Sequence, residues 1–263
     1  MRRSTLLAIG ILVVVLVVAG LWMYHSHGLY EKSYRSEYYY HVTLRTDSIL
    51  YNVTLYVPVP LIEDESRIGD AIVTGKASIP AEWDCSIVET EHGTMLKISV
   101  EKIVPEFRSL PVPLEPGEEP KAVPEENVSD AFSEDTPVLI PNEIIVQLPV
   151  DHEISTKNPL GNEPLLSPMY NVTRVTCDFP DGQDTRVNCS SYESRIYADY
   201  AAASPHAEVS IYIDLNGRNS WWVYGWSSNG YRDRIITTFT GEQHGWHVAS
   251  GELLAGEGRY GWL

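Results

Sequence analysis

The sequence predicts an all-β protein: an antiparallel, sandwich-type β ectodomain behind one N-terminal transmembrane helix. Three observations predict it. A run of nineteen uncharged residues, Leu6 to Tyr24, lies near the start of the chain. Beyond it, apolar and polar residues alternate with the period of two that strands require. These alternating runs are short and separated by clusters of Gly, Pro, Asn and Asp, which favours antiparallel strands over βαβ units.

At about 1.5 Å per residue, residues 6–24 extend roughly 28 Å as a helix, close to the thickness of the bilayer's hydrocarbon core. They read as a transmembrane helix that makes the membrane the chain's first partner. Arg2 and Arg3 precede it, so the positive-inside bias puts residues 1–5 in the cytoplasm and residues 25–263 outside. The expected location is the cell membrane, single-pass, with the C-terminal body on the extracytoplasmic side. Trp22 and Tyr24 fall at the outer end, where amphipathic rings favour the headgroup layer. The competing reading is a cleaved signal peptide with the small residues Ala19 and Gly20 at its cleavage site. Either way residues 25–263 are exported.

Composition narrows the partners. Lys and Arg number 19 against 36 Asp and Glu, a formal charge of −17 that works against binding nucleic acid or anionic lipid. Three cysteines enter the exported part. Cys177 and Cys189 bracket a Pro180-Asp181-Gly182 turn signal between two β-prone runs, so a hairpin would set them within disulfide reach. Closing that loop contributes about 3 kcal/mol on the chain-entropy account. Cys85 is then the spare, a small side chain for the core. Asn52, Asn127 and Asn171 each open an Asn-x-Ser/Thr sequon and are glycosylation candidates. Asn188 opens a fourth, whose middle residue is the bridged Cys189.

The elements follow in order. Residues 25–40 form a juxtamembrane stalk in which Tyr30, Tyr34 and Tyr38 recur every four residues and line one side of a continuing helix, weakened by Gly28. A first β portion, 41–104, holds strands around Val42 to Leu44 and Leu50 to Val57, the second ended by Pro58 and Pro60. Two more at 84–91 and 94–103 turn at His92-Gly93. Residues 105–136 carry six prolines between positions 105 and 124, and eight acidic side chains against one lysine between Glu115 and Asp135. They read as a solvated loop or linker. A second β portion, 137–263, contains strands at 138–148, 170–179 and 185–199. The clearest strand is 207–215, followed by an Asn216-Gly217 hairpin turn. The return at 220–226 and strands at 232–240 and 246–254 complete the pattern.

The densest chemistry is aromatic. Trp221, Trp222, Tyr224, Trp226 and Tyr231 fall within eleven residues. On a strand Trp222, Tyr224 and Trp226 share a face, and exposed flat rings stack on sugars or anchor a protein partner. The alternative is core packing. Catalytic patterns are thin. Gly225 to Gly230 lacks the spacing of a nucleophile elbow. His244 and His247 form an HxxH whose members face opposite sides of a strand. Asp178, Asp181 and Asp184 offer oxygens to calcium only in a curled loop, and turn formation explains them. No cofactor or metal is implied.

Three stretches carry a resemblance: Val42 to Leu44 with Tyr51 to Pro60, Thr90 to Ile98, and Thr240 to Trp246. They resemble parts of uncharacterised single-pass surface proteins of archaea, which implies an envelope location and carries over no functional residue. The expectation is a membrane-anchored extracytoplasmic protein, not an enzyme, with a structural or protein-interaction role at the cell surface. Two alternatives stand beside it: a carbohydrate-binding surface module using Trp222, Tyr224 and Trp226, and a hydrolase with an unrecognised site.

Overall fold

The computed structural model of the chain describes residues 2–111, 132–177 and 187–261. The apolar run forms helix α1, Arg2–Ser33. Its portion Ile9–Ser33 has mean hydropathy 2.1 and is long and apolar enough, by length and composition, to cross a membrane. Gly28 does not stop it. The helix ends where the Ser33 hydroxyl donates to the Leu29 carbonyl at 2.7 Å and satisfies one of the acceptors of the last turn.

Strands follow as the alternation requires. They are β1 (Arg35–Thr46), β2 (Leu50–Leu61), β3 (Asp84–Thr90), β4 (Gly93–Ile103), β5 (Glu106–Pro111), β6 (Phe132–Ile140), β7 (Asn142–Val150) and β8 (Leu165–Ser167). Then come β9 (Tyr170–Val175), β10 (Asn188–Ala202), β11 (Glu208–Trp222), β12 (Trp226–Thr240) and β13 (Gln243–Gly258), with one short helix, α2 (Arg67–Val73), after β2. One antiparallel sheet runs in the order β3-β4-β2-β10-β13-β12-β11-β1-β7, with β8 on β2 and β9 on β10, while β5 and β6 pair separately. The all-β architecture behind a single N-terminal apolar helix is as the sequence predicts.

The sheet curls until its halves face each other. Tyr40 of β1 sends its hydroxyl across the interior to the Pro58 carbonyl of β2 at 2.8 Å, although four strands separate β1 from β2 in the sheet order. A single core cluster therefore joins residues of the early strands, such as Leu55 and Ile98, to those of the late ones, such as Ile213, Ile235 and Leu253. Between the two sheet edges, Ser78 and Ile145 exchange backbone bonds at 2.9 Å. Helix α2 packs there against β2, β3 and β7. Ser66 caps it by accepting the Gly69 N–H at 2.8 Å.

Several local expectations are corrected. Tyr38 leaves the tyrosine stripe, because the helix stops at Ser33 and Tyr38 points into the core from β1. Strand β2 runs through Pro58 and Pro60. It changes partner there from β4 to β8, so a missing N–H falls where the ladder is already handed over. The expected strand 138–148 divides at Pro141 into β6 and β7. Asn216-Gly217 is not a turn: β11 continues to Trp222 and turns at residues 223–225. Gly217 is required for another reason, since a Cβ there would lie 2.1 Å from the buried Tyr231 ring. Helix α2 has no counterpart in the sequence reading.

Candidate functional site

The aromatic cluster sits at the tip of the β11–β12 hairpin and is split between two environments. Trp221 points inward and is 2% exposed, with Tyr34 stacked on it at 6.2 Å between ring centroids and Tyr30 edge-on at 5.7 Å. The tyrosines left on the stripe thus clamp the body to its own helix. Trp222 and Trp226 are directly paired across the hairpin, on the outer face, and are 36% and 63% exposed. Tyr224 occupies the turn itself, so the three do not share a strand face. Its ring stacks on Trp22 of α1, with centroids 6.3 Å apart and planes 4° from parallel. The Ser33 hydroxyl accepts the Trp222 N–H at 2.8 Å, and the Arg35 guanidinium lies 5.2 Å above the Trp226 ring.

A second aromatic group, absent from the sequence reading, lies on the outer face of β2, β10 and β13. Tyr56 and Tyr197 are cross-strand partners stacked at 4.8 Å. Trp246, the partner of Tyr197 on the other side, meets that ring at 5.3 Å, and His92 of the β3–β4 turn stands edge-on to Trp246 at 4.6 Å. Arg195 covers Tyr170 at 5.1 Å, and His244 pairs with Asp199 at 2.7 Å beside the cluster. Burial first and then Asp199 raise the Tyr197 hydroxyl above its ordinary range. The signal for this group is its outward period-2 positions, but only the register brings three strands' rings together.

Inside the curl several buried polar groups are paired, whereas the Tyr200 hydroxyl is buried without a hydrogen-bond partner among the described residues. Asp233 is fully buried and accepts the Tyr192 hydroxyl at 2.5 Å and the Leu166 N–H at 2.8 Å. Burial pushes its carboxyl up to about 7 despite those two bonds, and the charge of Asp214 adds to the rise. Asn219 of β11 holds the connection between β7 and β8 in place. Its Oδ1 accepts the Ser36 hydroxyl at 2.7 Å and the Ile154 N–H at 3.0 Å, and its Nδ2 donates to the Ile154 carbonyl and to Asn229 Oδ1, both at 2.9 Å. Thr156 donates to the same Asn229 oxygen at 2.8 Å. Glu163 accepts the Tyr38 hydroxyl and the Ser155 N–H.

Cys177 and Cys189 form the disulfide, their Cα atoms 5.3 Å apart across the β9–β10 pairing, while the turn between them lies outside the described residues. Cys85 is half-buried and free, its thiol pushed up to about 11 by burial and then by Asp84. Asn52 and Asn171 are exposed and both take positive φ, 51° and 54°, at irregular positions of β2 and β9. Asn127 and the aspartates 178, 181 and 184 fall outside the described residues. Asn188 is half-buried and accepts from Arg174. His244 faces outward, whereas His247 lies against Phe239 at 4.8 Å. Among the described residues no group of three or more His, Cys, Asp or Glu side chains is placed to hold a metal. No protein-family model, no curated protein and no solved structure matches the chain, so no activity or partner is carried over from a relative.

Proposed function

We propose that the chain is a membrane-anchored extracytoplasmic protein whose β body has a structural or protein-interaction role at the cell surface. The observation that carries this reading is an exposed apolar helix, Ile9–Ser33, running without a break into the first turn before β1 and gripped there by Trp221. Residues that would cost free energy against water over this length suit a hydrocarbon surround. The Cys177–Cys189 disulfide suits an oxidising exterior. Exposed Asn52 and Asn171 suit glycan transfer in a host with the machinery. Protease shaving of intact cells tests it: the body should be lost while a fragment containing α1 remains with the membrane. A body that resists shaving until the cells are lysed would refute the orientation.

Glycan binding is the second reading, and the outer rings Tyr56 and Tyr197, stacked on each other, with Trp246 edge-on to Tyr197, favour it beside Trp222 and Trp226. Flat rings flanked by Asp199, His244 and Arg195 offer stacking together with hydrogen bonds. Array binding should fall with Tyr197→Ala plus Trp246→Ala, or with Trp222→Ala plus Trp226→Ala, and the set that matters locates the surface. Binding indifferent to both sets removes the reading.

A further inference from the structure

We infer that the β11–β12 hairpin tip, residues 223–225 with Tyr224 at its centre, is a second membrane contact that lies in the headgroup layer of the bilayer crossed by α1. The inference rests on the anchor reading above and adds the body's own seat on the lipid. Depth follows from the helix. Trp22 is two residues inside the outer end of the apolar run at Tyr24, about 3 Å along the axis. Tyr224 stacks on Trp22 at one end, and at the other its hydroxyl meets the Ser26 hydroxyl at 3.5 Å. Its contact residues therefore straddle the boundary of the apolar run over roughly 6 Å, the span of four helical residues. The headgroup layer on each face is of that thickness, about 5–8 Å. Tyr and Trp concentrate there because an apolar ring and a polar edge are both satisfied at the boundary.

Two features set the tip apart from the packed body. Tyr224 is 55% exposed although it is a large ring. It also takes φ 55°, a left-handed conformation that is an outlier for a bulky residue and is met at sites where surroundings over-determine it. Gly225, the next residue, has open space around it and does not take positive φ. The chain thus places the ring, rather than the glycine, in the strained position that aims it along α1. The chain's charge of −17 favours a zwitterionic surface over an anionic one.

The test uses the full chain with Cys85→Ser, reconstituted in phosphatidylcholine vesicles and carrying one nitroxide at a time on Gly225→Cys, Leu16→Cys or Val248→Cys. Gly225 accepts a side chain without contact, Leu16 reports the apolar helix, and Val248 is an exposed position on the outer face of β13. Collision with oxygen, which concentrates in lipid, is compared with collision with a water-soluble nickel chelate. The inference predicts nickel access at 225 several-fold below that at 248 and above that at 16. Adding Tyr224→Asp should raise nickel access at 225 to the level of 248, and Tyr224→Trp should leave it low. Equal nickel access at 225 and 248 with position 16 shielded overturns the tip contact and leaves the anchor standing. Free nickel access at position 16 overturns the anchor reading, and the tip contact with it.

Discussion

Replacing Asp233 by Asn should remove a pH dependence from the stability of the β body. The carboxyl is fully buried, its two bonding partners are the neutral Tyr192 hydroxyl and Leu166 N–H, and it is pushed up to about 7 from an ordinary 3.8. Between about pH 4 and pH 7 the folded chain holds a proton that the unfolded chain has released. A carboxyl raised in this way contributes stability that is complete below the unfolded value and is lost as pH rises through the folded one. Three units at 1.36 kcal/mol each make the loss about 4 kcal/mol. Asparagine keeps an acceptor for Leu166 and a donor toward Tyr192, and it is neutral throughout. Urea unfolding of wild type and Asp233→Asn, each full length in detergent, should be followed from pH 4 to pH 8.5. Taking the difference cancels the acidic side chains that both proteins share. The variant should gain on the wild type by up to about 4 kcal/mol across the window, most of it between pH 4 and 7. A difference that stays constant with pH would refute the reasoning, and a variant that loses ground to the wild type as pH rises would reverse its sign.

Other perturbations address the packing and the loop. Gly217→Ala and Gly251→Ala would each place a Cβ 2.1 Å from a buried tyrosine ring, Tyr231 and Tyr192 respectively. Each should cost about 1–3 kcal/mol or more by overpacking, seen as an earlier urea midpoint. Asn219→Ala orphans the Ile154 N–H, leaves its carbonyl only the Thr156 N–H, and should cost about 1–3 kcal/mol, with limited proteolysis newly cutting between residues 151 and 164. Replacing Cys177 and Cys189 by Ala opens a loop of sequence separation 12 and should lower stability by about 3 kcal/mol, read by the same urea titration.

What could be read in advance was what is local in the chain. Val209, Ile211, Ile213 and Leu215 alternate with polar neighbours, and they do lie inside, while Glu208 is exposed, Ser210 and Tyr212 are half-buried and Asp214 is buried. The disulfide was legible because a turn signal between two β runs fixes the distance of the flanking residues. The misreadings share a cause: the deciding partner was remote. Asn216-Gly217 has the local chemistry of a turn, and only Tyr231, fourteen residues on, shows that Gly217 makes room for a ring. Pro58 looks like a strand end until β8 is there to take over from β4. Tyr56, Tyr197 and Trp246 belong to three strands, so their cluster needs a register that no single segment encodes. The hairpin tip was visible as composition, while its partner Trp22 lies some two hundred residues earlier in the chain.

The same tyrosines explain how so wide a sheet keeps one curvature. An aliphatic core is non-directional, and the curl of a sheet filled only with Leu and Val would be set by volume alone. Here Tyr38, Tyr40, Tyr192 and Tyr231 reach inward and end on named acceptors: Glu163, the Pro58 carbonyl, Asp233 and the Pro164 carbonyl. Each such bond ties its strand to a different element, and a buried hydroxyl left without its partner would cost free energy, so the bonds select one curl. Two of the rings also rest over strand glycines, which brings the backbone close enough for their hydroxyls to reach. The long β11–β12 hairpin inherits that rigidity, since Asn219 and Asn229 lock its outer third to the connection between β7 and β8. Its tip therefore projects along α1 at a height set by the core, and the contact between Tyr224 and Trp22 is imposed by the folded body rather than found by a free loop.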